Sequence, residues 1–267
     1  MAVLIVKLTS MGDLVQALPA VTDASRARPE LRLDWVVDEA FAEVPRWHPA
    51  IRDVFTTAHR RWRERLPKAL FGGELRAFGR RLRQLRYSAV IDAQTNLKSA
   101  LVTRLARGPK HGPDRHTVRE WGAHLAYSLH FHIPTDQLAI ARWRQLFAQV
   151  LDYPLPDTPP DFGLADTQWP APAIELPKGP FLMFVHNASW PNKGWIEPYW
   201  HQLIDRAGRA GYAVLLPWGS PAEQAQAQRL APGYANAQVL PRLALTALAA
   251  LLVRSSGAVC ADTGLAH

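Results

Sequence analysis

The first twenty residues constrain this chain more than any other stretch. Val3-Leu4-Ile5-Val6-Lys7 has the make-up of a buried strand. It runs into a loop of mostly small residues, Ser10-Met11-Gly12-Asp13, and then into a helical pattern with Leu14, Ala17 and Leu18 on one face. A strand passing directly into a helix is the opening of an α/β fold with a parallel sheet, and the crossing lies at the carboxyl edge where such folds bind ligands. Gly12 allows the main chain to come close to a bound molecule. Asp13 then has two readings, a cap on the new helix or a catalytic base, and the local pattern leaves both open.

The same alternation continues. Leu33 to Val37 and Ala89 to Ala93 are compact strand candidates separated by helical patterns, and each ends in polar residues: Asp38 and Glu39 after one, Asp92, Gln94 and Asn96 around the other. Between Tyr153 and Pro180 the texture changes, with eight prolines in 28 residues, which reads as a connection between domains. The division expected is a first domain over 1–155, a linker over 156–179 and a second domain over 180–267. That second domain starts with a strand at Phe181 to Val185 and a helix at Glu197 to Ala210, followed by a strand at Tyr212 to Leu216. After the helix Pro221 to Ala231 come a short strand near Val239, the helix Leu245 to Val253 and a strand at Ala258 to Ala261. The final Asp262-Thr263-Gly264-Leu265-Ala266-His267 reads as a loop opening a further helix, so the second domain is expected to be truncated.

Charge is unevenly placed. The chain carries a net charge of +8, and the segment from His59 to Arg86 alone holds ten cations against Glu64 and Glu74, leaving the rest neutral. A polyanionic partner suits that segment: lipid phosphates, an acidic sugar or nucleic acid. Spacing from Arg76 to Arg86 also fits a solvated helix face, whereas Arg60-Arg61-Trp62-Arg63 is a tighter cluster. No groove-reading nucleic-acid motif accompanies it, and nucleic acid is not expected as a partner. The single Cys260 rules out an internal disulfide, and the longest helical apolar stretch, Leu243 to Val253, is about half of what a bilayer requires.

Two loops of the second half are suited to anions. His186 to Trp195 places small hydrogen-bonding residues and Lys193 ahead of a helix, and Asp262-Thr263-Gly264 offers a hydroxyl and main-chain N–H groups at a helix start. Asp262 would repel a phosphate and is better suited to orienting neighbours or accepting from sugar hydroxyls. The sequence lacks an Asp-x-Asp pair, a phosphate loop ending in Gly-Lys-Ser/Thr, Gly-x-Gly-x-x-Gly, zinc-type spacing and Gly-x-Ser-x-Gly. No metal site and no cofactor are expected.

Taken in order, Lys7 to Asp13, Trp35-Val36-Val37-Asp38-Glu39, Arg60-Arg61-Trp62-Arg63, Asp92-Ala93-Gln94, Leu216-Pro217-Trp218-Gly219 and Asp262 to His267 resemble the lipopolysaccharide heptosyltransferase I family. Ser-Met-Gly-Asp is closer to the type I pattern than to the Trp-Val-Gly-Asp of type II. The resemblance implies a GT-B fold, two Rossmann-like domains with parallel sheets facing across a cleft. It implies an inverting transfer of L-glycero-D-manno-heptose from ADP-L-glycero-D-manno-heptose to a Kdo residue of Kdo2-lipid A. The enzyme would be a monomer, peripheral on the inner face of the bacterial inner membrane and in contact with its anionic surface. By the same likeness Asp13 matches the general base. Donor positions are Ala188, Ser189, Lys193, Glu223 toward the ribose, Leu243 against the adenine, and Asp262, Thr263, Gly264, Leu265 and His267. Acceptor positions are Ser10, Met11, Gly12, Arg60, Arg61, Arg63, Arg119 and Arg142. Ala188 lacks the hydroxyl familiar there, and Pro191 and Asn192 stand where acidic residues are familiar.

Overall fold

The computed structural model describes residues 1–64, 72–172, 174–188 and 191–267. The chain divides into two compact units, Met1–Thr167 and Gln168–His267.

The first unit is built on a six-stranded sheet in the order β3-β2-β1-β4-β5-β6, with every neighbouring pair parallel. Its strands are β1 (Ala2–Val6), β2 (Arg32–Asp38), β3 (Ile51–Thr57), β4 (Ala89–Asp92), β5 (Lys110–Pro113) and β6 (Leu129–Phe131). β1 lies at the centre, and Val3, Leu4, Ile5 and Val6 are fully buried, as expected for a parallel strand covered on both faces. Side chains alternate. Leu4 and Val6 pack with Val90, Leu82 and Val102, beneath the helices α5 (Glu74–Leu82) and α6 (Leu97–Leu105). On the unit's other side α2 (Leu18–Ala27) packs against α7 (Ala139–Leu151). Two short helices precede α5 in this unit, α3 (Glu43–Arg46) and α4 (His59–Glu64), and α1 (Met11–Val15) leads from β1 toward α2.

Sequence reading finds β1, β2 and β4 but not β3, β5 or β6. Ile51–Thr57 is an edge strand whose Arg52 and Asp53 interrupt its apolar run, and the four residues of β5 are Lys, His, Gly and Pro. β3 is rich in strand formers but loses its apolar continuity at that charged pair, whereas β5 has weak strand propensity of its own and depends on its neighbours.

The second unit carries four parallel strands in the order β10-β7-β8-β9: β7 (Phe181–Val185), β8 (Ala213–Leu216), β9 (Ala237–Val239) and β10 (Gly257–Cys260). Here the expected strand near Val239 is present, and the other three lie within about a residue of their expected ends, the usual scatter of boundaries. Phe184, Val214 and Leu216 face the helices α8 (Glu197–Arg209) and α9 (Pro221–Leu230) through Trp200, Ile204, Ala227 and Leu230. Phe181, Met183 and Leu215 face α10 (Leu245–Arg254) through Leu248 and Leu251.

Both orders have a switch point, where chain progression reverses direction across the sheet: between β1 and β4 in the first unit, and between β7 and β10 in the second. Open α/β sheets bind ligands outside the carboxyl ends of strands at such points.

Much of the proline-rich segment is fastened to the first unit. Arg144 on α7 is buried, its Nε 2.6 Å from Asp23 Oδ2 on α2, and it donates to the carbonyl oxygens of Thr158 and Pro156. Arg26 pairs with Asp161, and Thr167 Oγ1 donates to Trp47 O. The two units divide between Thr167 and Gln168, and beyond that point Ile174 and Leu176 pack on the second unit's core. Removing one member of a buried ion pair strands the other charge at a cost of about 3–5 kcal/mol. Arg144→Met is expected to lower the stability of the first unit by that amount in urea unfolding followed by circular dichroism, and a loss below about 1 kcal/mol would contradict the role given to the Asp23 pair.

Candidate active site

The loop after β1 is held by the loop after β4. Lys7 N continues the strand ladder to Val36 O, while its side chain turns inward, 2% exposed, and Nζ donates to Ala93 O at 2.8 Å. Leu8 N and Thr9 N both donate to Gln94 Oε1, at 3.0 and 3.1 Å. Trp35 Nε1 donates to Lys7 O from β2. The path into Ser10 and Asp13 is therefore set from both flanking strands.

Gln94 is itself fixed from below. Asp92, fully buried, accepts from Gln94 N, Thr95 N, Ser99 Oγ and the Tyr127 hydroxyl at 2.8–2.9 Å. Burial pushes its carboxyl above the usual carboxylate range, and the four donors pull in the opposite direction. Thr95 adopts φ +60°, which a β-branched residue avoids at a cost of about 1–3 kcal/mol, so the surrounding bonds must hold it there. Its hydroxyl and carbonyl in turn accept from Arg119 N and Glu120 N.

A cavity of about 460 Å³ opens at this switch point, lined among others by Lys7, Asp13, Gln94, Thr95, Arg119, Arg142 and Trp143. Asp13 is the third residue of α1, and its Oδ2 accepts from Ser10 N at 2.9 Å and Ser10 Oγ at 2.8 Å. It therefore caps the helix and lines the cavity at once. A carboxylate has about four lone-pair positions, so those two bonds leave room to take a proton. Ser10 is exposed, Met11 half-buried and Gly12 buried.

The Lys7 ammonium sits 4.2 Å from the Trp143 ring centre. Burial brings its pKa down to about 8, with Arg119 and Arg142 adding to the depression and the charges of Asp13 and Asp92 opposing it. Arg142 is half-buried, donates from Nη2 to Thr117 O at 3.2 Å, and keeps a buried Nε without a hydrogen-bond partner. Lys7, Gln94 and Trp143 line this site although the sequence reading assigned none of them a function there, naming Gln94 among the polar residues that end β4, and Lys7 and Gln94 within family motifs. One signal was available for Lys7, a cation inside an apolar strand.

Arg61 is not among the residues lining this cavity. Its guanidinium is shared between Glu39 and Glu74, at 3.1 and 2.8 Å, and these carboxylates hold its pKa above the ordinary arginine value. Trp62 Nε1 donates to the same Glu74. The side chains of Arg60 and Arg63 lie outside the described residues.

In the second unit, Lys193 Nζ and Asp262 Oδ2 form an ion pair at 2.7 Å, joining the loops that follow β7 and β10. The ammonium holds the Asp262 carboxyl below the usual range. Glu223 Oε2 accepts from Gly219 N and Ser220 N at 2.7 and 3.2 Å, completing a capping box at the start of α9. Leu243 and Leu265 pack on the Met183 side of the sheet, and Ala188 on the Phe184 side. Thr263 and Gly264 are half-buried at the β10 exit, His267 is exposed, and Ser189 lies outside the described residues. Ahead of that loop, buried His186 has its pKa lowered by burial.

The model of glycosyltransferase family 9 (heptosyltransferase) matches residues 75–267. The chain belongs to that family. It is 48% identical over its whole length to lipopolysaccharide heptosyltransferase 1 of Pseudomonas aeruginosa, covering 75% of that protein, and 44% identical to the enzyme of the same name from Escherichia coli K12, covering 83%. Among solved structures, E. coli heptosyltransferase WaaC with ADP superposes with a TM-score of 0.93 at 44% identity, over 100% of this chain and 83% of that one. The same enzyme with ADP-2-deoxy-2-fluoro heptose superposes at 0.91 and 43% identity, over 99% and 84%. This chain is thus a glycosyltransferase of the lipopolysaccharide heptosyltransferase kind, with the α/β GT-B class of fold that its two Rossmann-like units express.

Because Lys7 has a folded-state pKa near 8, below the unfolded value of 10.5, its burial opposes folding fully below pH 8, and that cost is relieved as pH rises toward 10.5. The relief amounts to about 3 kcal/mol. Lys7→Met is expected to lack this alkaline gain when urea unfolding is compared between pH 7.5 and 10, and equal pH slopes for the two proteins would contradict a charged, desolvated Lys7.

Proposed function

We propose that this enzyme transfers L-glycero-D-manno-heptose from ADP-L-glycero-D-manno-heptose to a Kdo residue of Kdo2-lipid A at the cytoplasmic face of the inner membrane, and that Asp13 is its base. The observation that carries the reading is the Asp13 carboxylate in a cavity whose other charged walls, Lys7, Arg119 and Arg142, are cations. Such a cavity suits a sugar acid whose hydroxyl must lose a proton. The cations receive the acceptor's carboxylate, and Arg142 Nε has an unused donor to give.

The chemistry is a single displacement. Asp13 takes the proton of the acceptor hydroxyl as its oxygen bonds to the anomeric carbon of the heptose, while the bond from that carbon to the diphosphate oxygen breaks and ADP leaves. Attack and departure on opposite faces invert the anomeric centre through an oxocarbenium-like transition state. Negative charge grows on the departing diphosphate. Lys193, the Thr263 hydroxyl and the main-chain N–H groups of the 262–267 loop are the donors suited to it. Asp262 holds Lys193 in place and accepts from heptose hydroxyls; Glu223 serves the ribose and Leu243 the adenine. Support for this donor comes from the ADP and fluoro-heptose complexes of the E. coli relative.

Asp13→Ala is expected to lower kcat by about 10²–10⁴-fold in an ADP-release assay with a water-soluble Kdo acceptor, with ADP affinity by calorimetry unchanged. Near-normal turnover would remove Asp13 from the mechanism.

A further inference from the structure

Away from the catalytic cavity, the first unit carries a second depression, of about 760 Å³, at the amino ends of β4 and β5. It is lined by Arg83, Arg86, Arg104, Arg107 and Lys110, with Ala106, Gly108 and Pro109, and no carboxylate. Four of the cations are steered by main-chain oxygens. Arg83 Nε donates to Leu105 O, Arg104 Nη1 to Leu125 O, Arg107 Nη1 to Arg83 O and Lys110 Nζ to Gly108 O, at 2.6–3.4 Å. None of the five forms an ion pair among the described residues. The floor is closely packed: Gly108 has φ +134°, and a Cβ there would lie 2.2 Å from Tyr87 O. Holding five like charges together costs free energy, part of which a polyanion bound there returns.

Beside this depression runs an apolar stripe. Leu97 and Leu101 stand one turn apart on α6 and are 53% and 69% exposed, Trp121 and Leu125 beside that helix are 79% and 68% exposed, and Leu129 at the start of β6 is 50% exposed. Arg104, one turn after Leu101, joins stripe to depression through its bond to Leu125 O. At its other end the stripe reaches the catalytic edge. Leu97 N is bonded to the Glu120 carboxylate, Glu120 N to Thr95 O, and both Thr95 and Arg119 line the cavity containing Asp13. A run of large exposed apolar side chains of this kind marks an interaction surface.

We propose that this face is where the enzyme rests on an anionic phospholipid bilayer, Leu101, Trp121 and Leu125 entering the headgroup region while Arg83, Arg86, Arg104, Arg107 and Lys110 meet lipid phosphates. The proposal deepens the function above and rests on its lipid-borne acceptor. Charge complementarity selects the occupant: a bilayer surface offers phosphates and apolar depth side by side, as the depression and the stripe demand. The surface differs from the basic helix α5, whose exposed Arg76 and Arg80 face no comparable apolar stripe among the described residues. Its continuity with the catalytic edge places a membrane-held sugar near Asp13.

The test is sedimentation of the full chain with vesicles of equal parts phosphatidylethanolamine and phosphatidylglycerol, and with phosphatidylcholine vesicles, without donor or acceptor. Binding to the anionic vesicles alone is expected, weakening as salt rises. Arg86→Glu with Arg107→Glu, and separately Leu101→Ser with Trp121→Ser, are each expected to weaken it at least ~10-fold, whereas Arg76→Glu with Arg80→Glu, the same charge change on α5, weakens it less than ~3-fold. Turnover with a deacylated, water-soluble acceptor is expected to be unchanged in all three double variants, showing that they fold. Equal binding to both vesicle types, or two face variants that bind like the parent, overturns the proposal. So does a self-association in ultracentrifugation abolished by the Leu101→Ser, Trp121→Ser pair without any vesicle binding, which assigns the stripe to a second copy of the chain. Failure of the unaltered enzyme to turn over the soluble acceptor tells against the proposed reaction alone and leaves the vesicle result standing.

Discussion

One side-chain oxygen, Gln94 Oε1, accepts from two successive main-chain amides, Leu8 N and Thr9 N, and the geometry of the catalytic edge follows from that contact. A strand that ends at a sheet's carboxyl edge leaves its next N–H groups without ladder partners, and buried donors must find acceptors. Gln94 supplies one, Ala93 O takes the Lys7 ammonium, and Asp92 fixes that loop by accepting four hydrogen bonds, two of them from Gln94 N and Thr95 N. The turn that presents Asp13 is thereby tied to β4 as well as to β1. A carboxylate on a free loop would spend rotational and main-chain entropy at each encounter, and that of Asp13, the proposed base, has been ordered by folding.

Electrostatics divides the labour between the two switch points. The first unit gathers Lys7, Arg119 and Arg142 around a single carboxylate, and burial makes Lys7 titrate near 8, where it still carries its charge at neutral pH. In the second unit the cation is more accessible and already paired, Lys193 with Asp262. In the proposed reaction, a diphosphate arriving there would meet an ammonium whose position is set by a carboxylate that cannot itself bind phosphate. The arrangement orients Lys193 at the expense of some of its attraction for an anion.

Legibility of the sequence followed the strength of local signals. β1, its loop and α1 could be read because an apolar run, a glycine and an amphipathic helix follow one another without interruption; in the second unit β7 and β8 could be read because each is apolar and bounded by Gly or Pro on one side and by Asn or Pro on the other. β5 and β6 could not, since Lys110-His111-Gly112-Pro113 and Leu129-His130-Phe131 become strands only against their neighbours. The proline-rich segment reads as a linker by composition, yet Arg144 and Arg26 bind its first half to the first unit, a contact that no local pattern announces. For the site, Asp13 was visible as a loop carboxylate and its two readings proved compatible, because one oxygen serves the cap while the group lines the cavity. Arg61 shows the opposite case: its cluster looked available for an anion, and tertiary structure sets Glu39 and Glu74 against it. Lys7 was hidden by its strand, since only the fold shows that the side chain turns under Trp143.

The central claim is that Gln94 holds the β1 exit so that Asp13 is ready to act. Steady-state kinetics of Gln94→Leu with the soluble Kdo acceptor tests it most directly, alongside a thermal melt to confirm folding. The account predicts kcat lowered by at least about tenfold with KM for ADP-heptose unchanged, because the loops proposed to hold the donor belong to the other unit. A folded Gln94→Leu enzyme with the parent's kcat would contradict it.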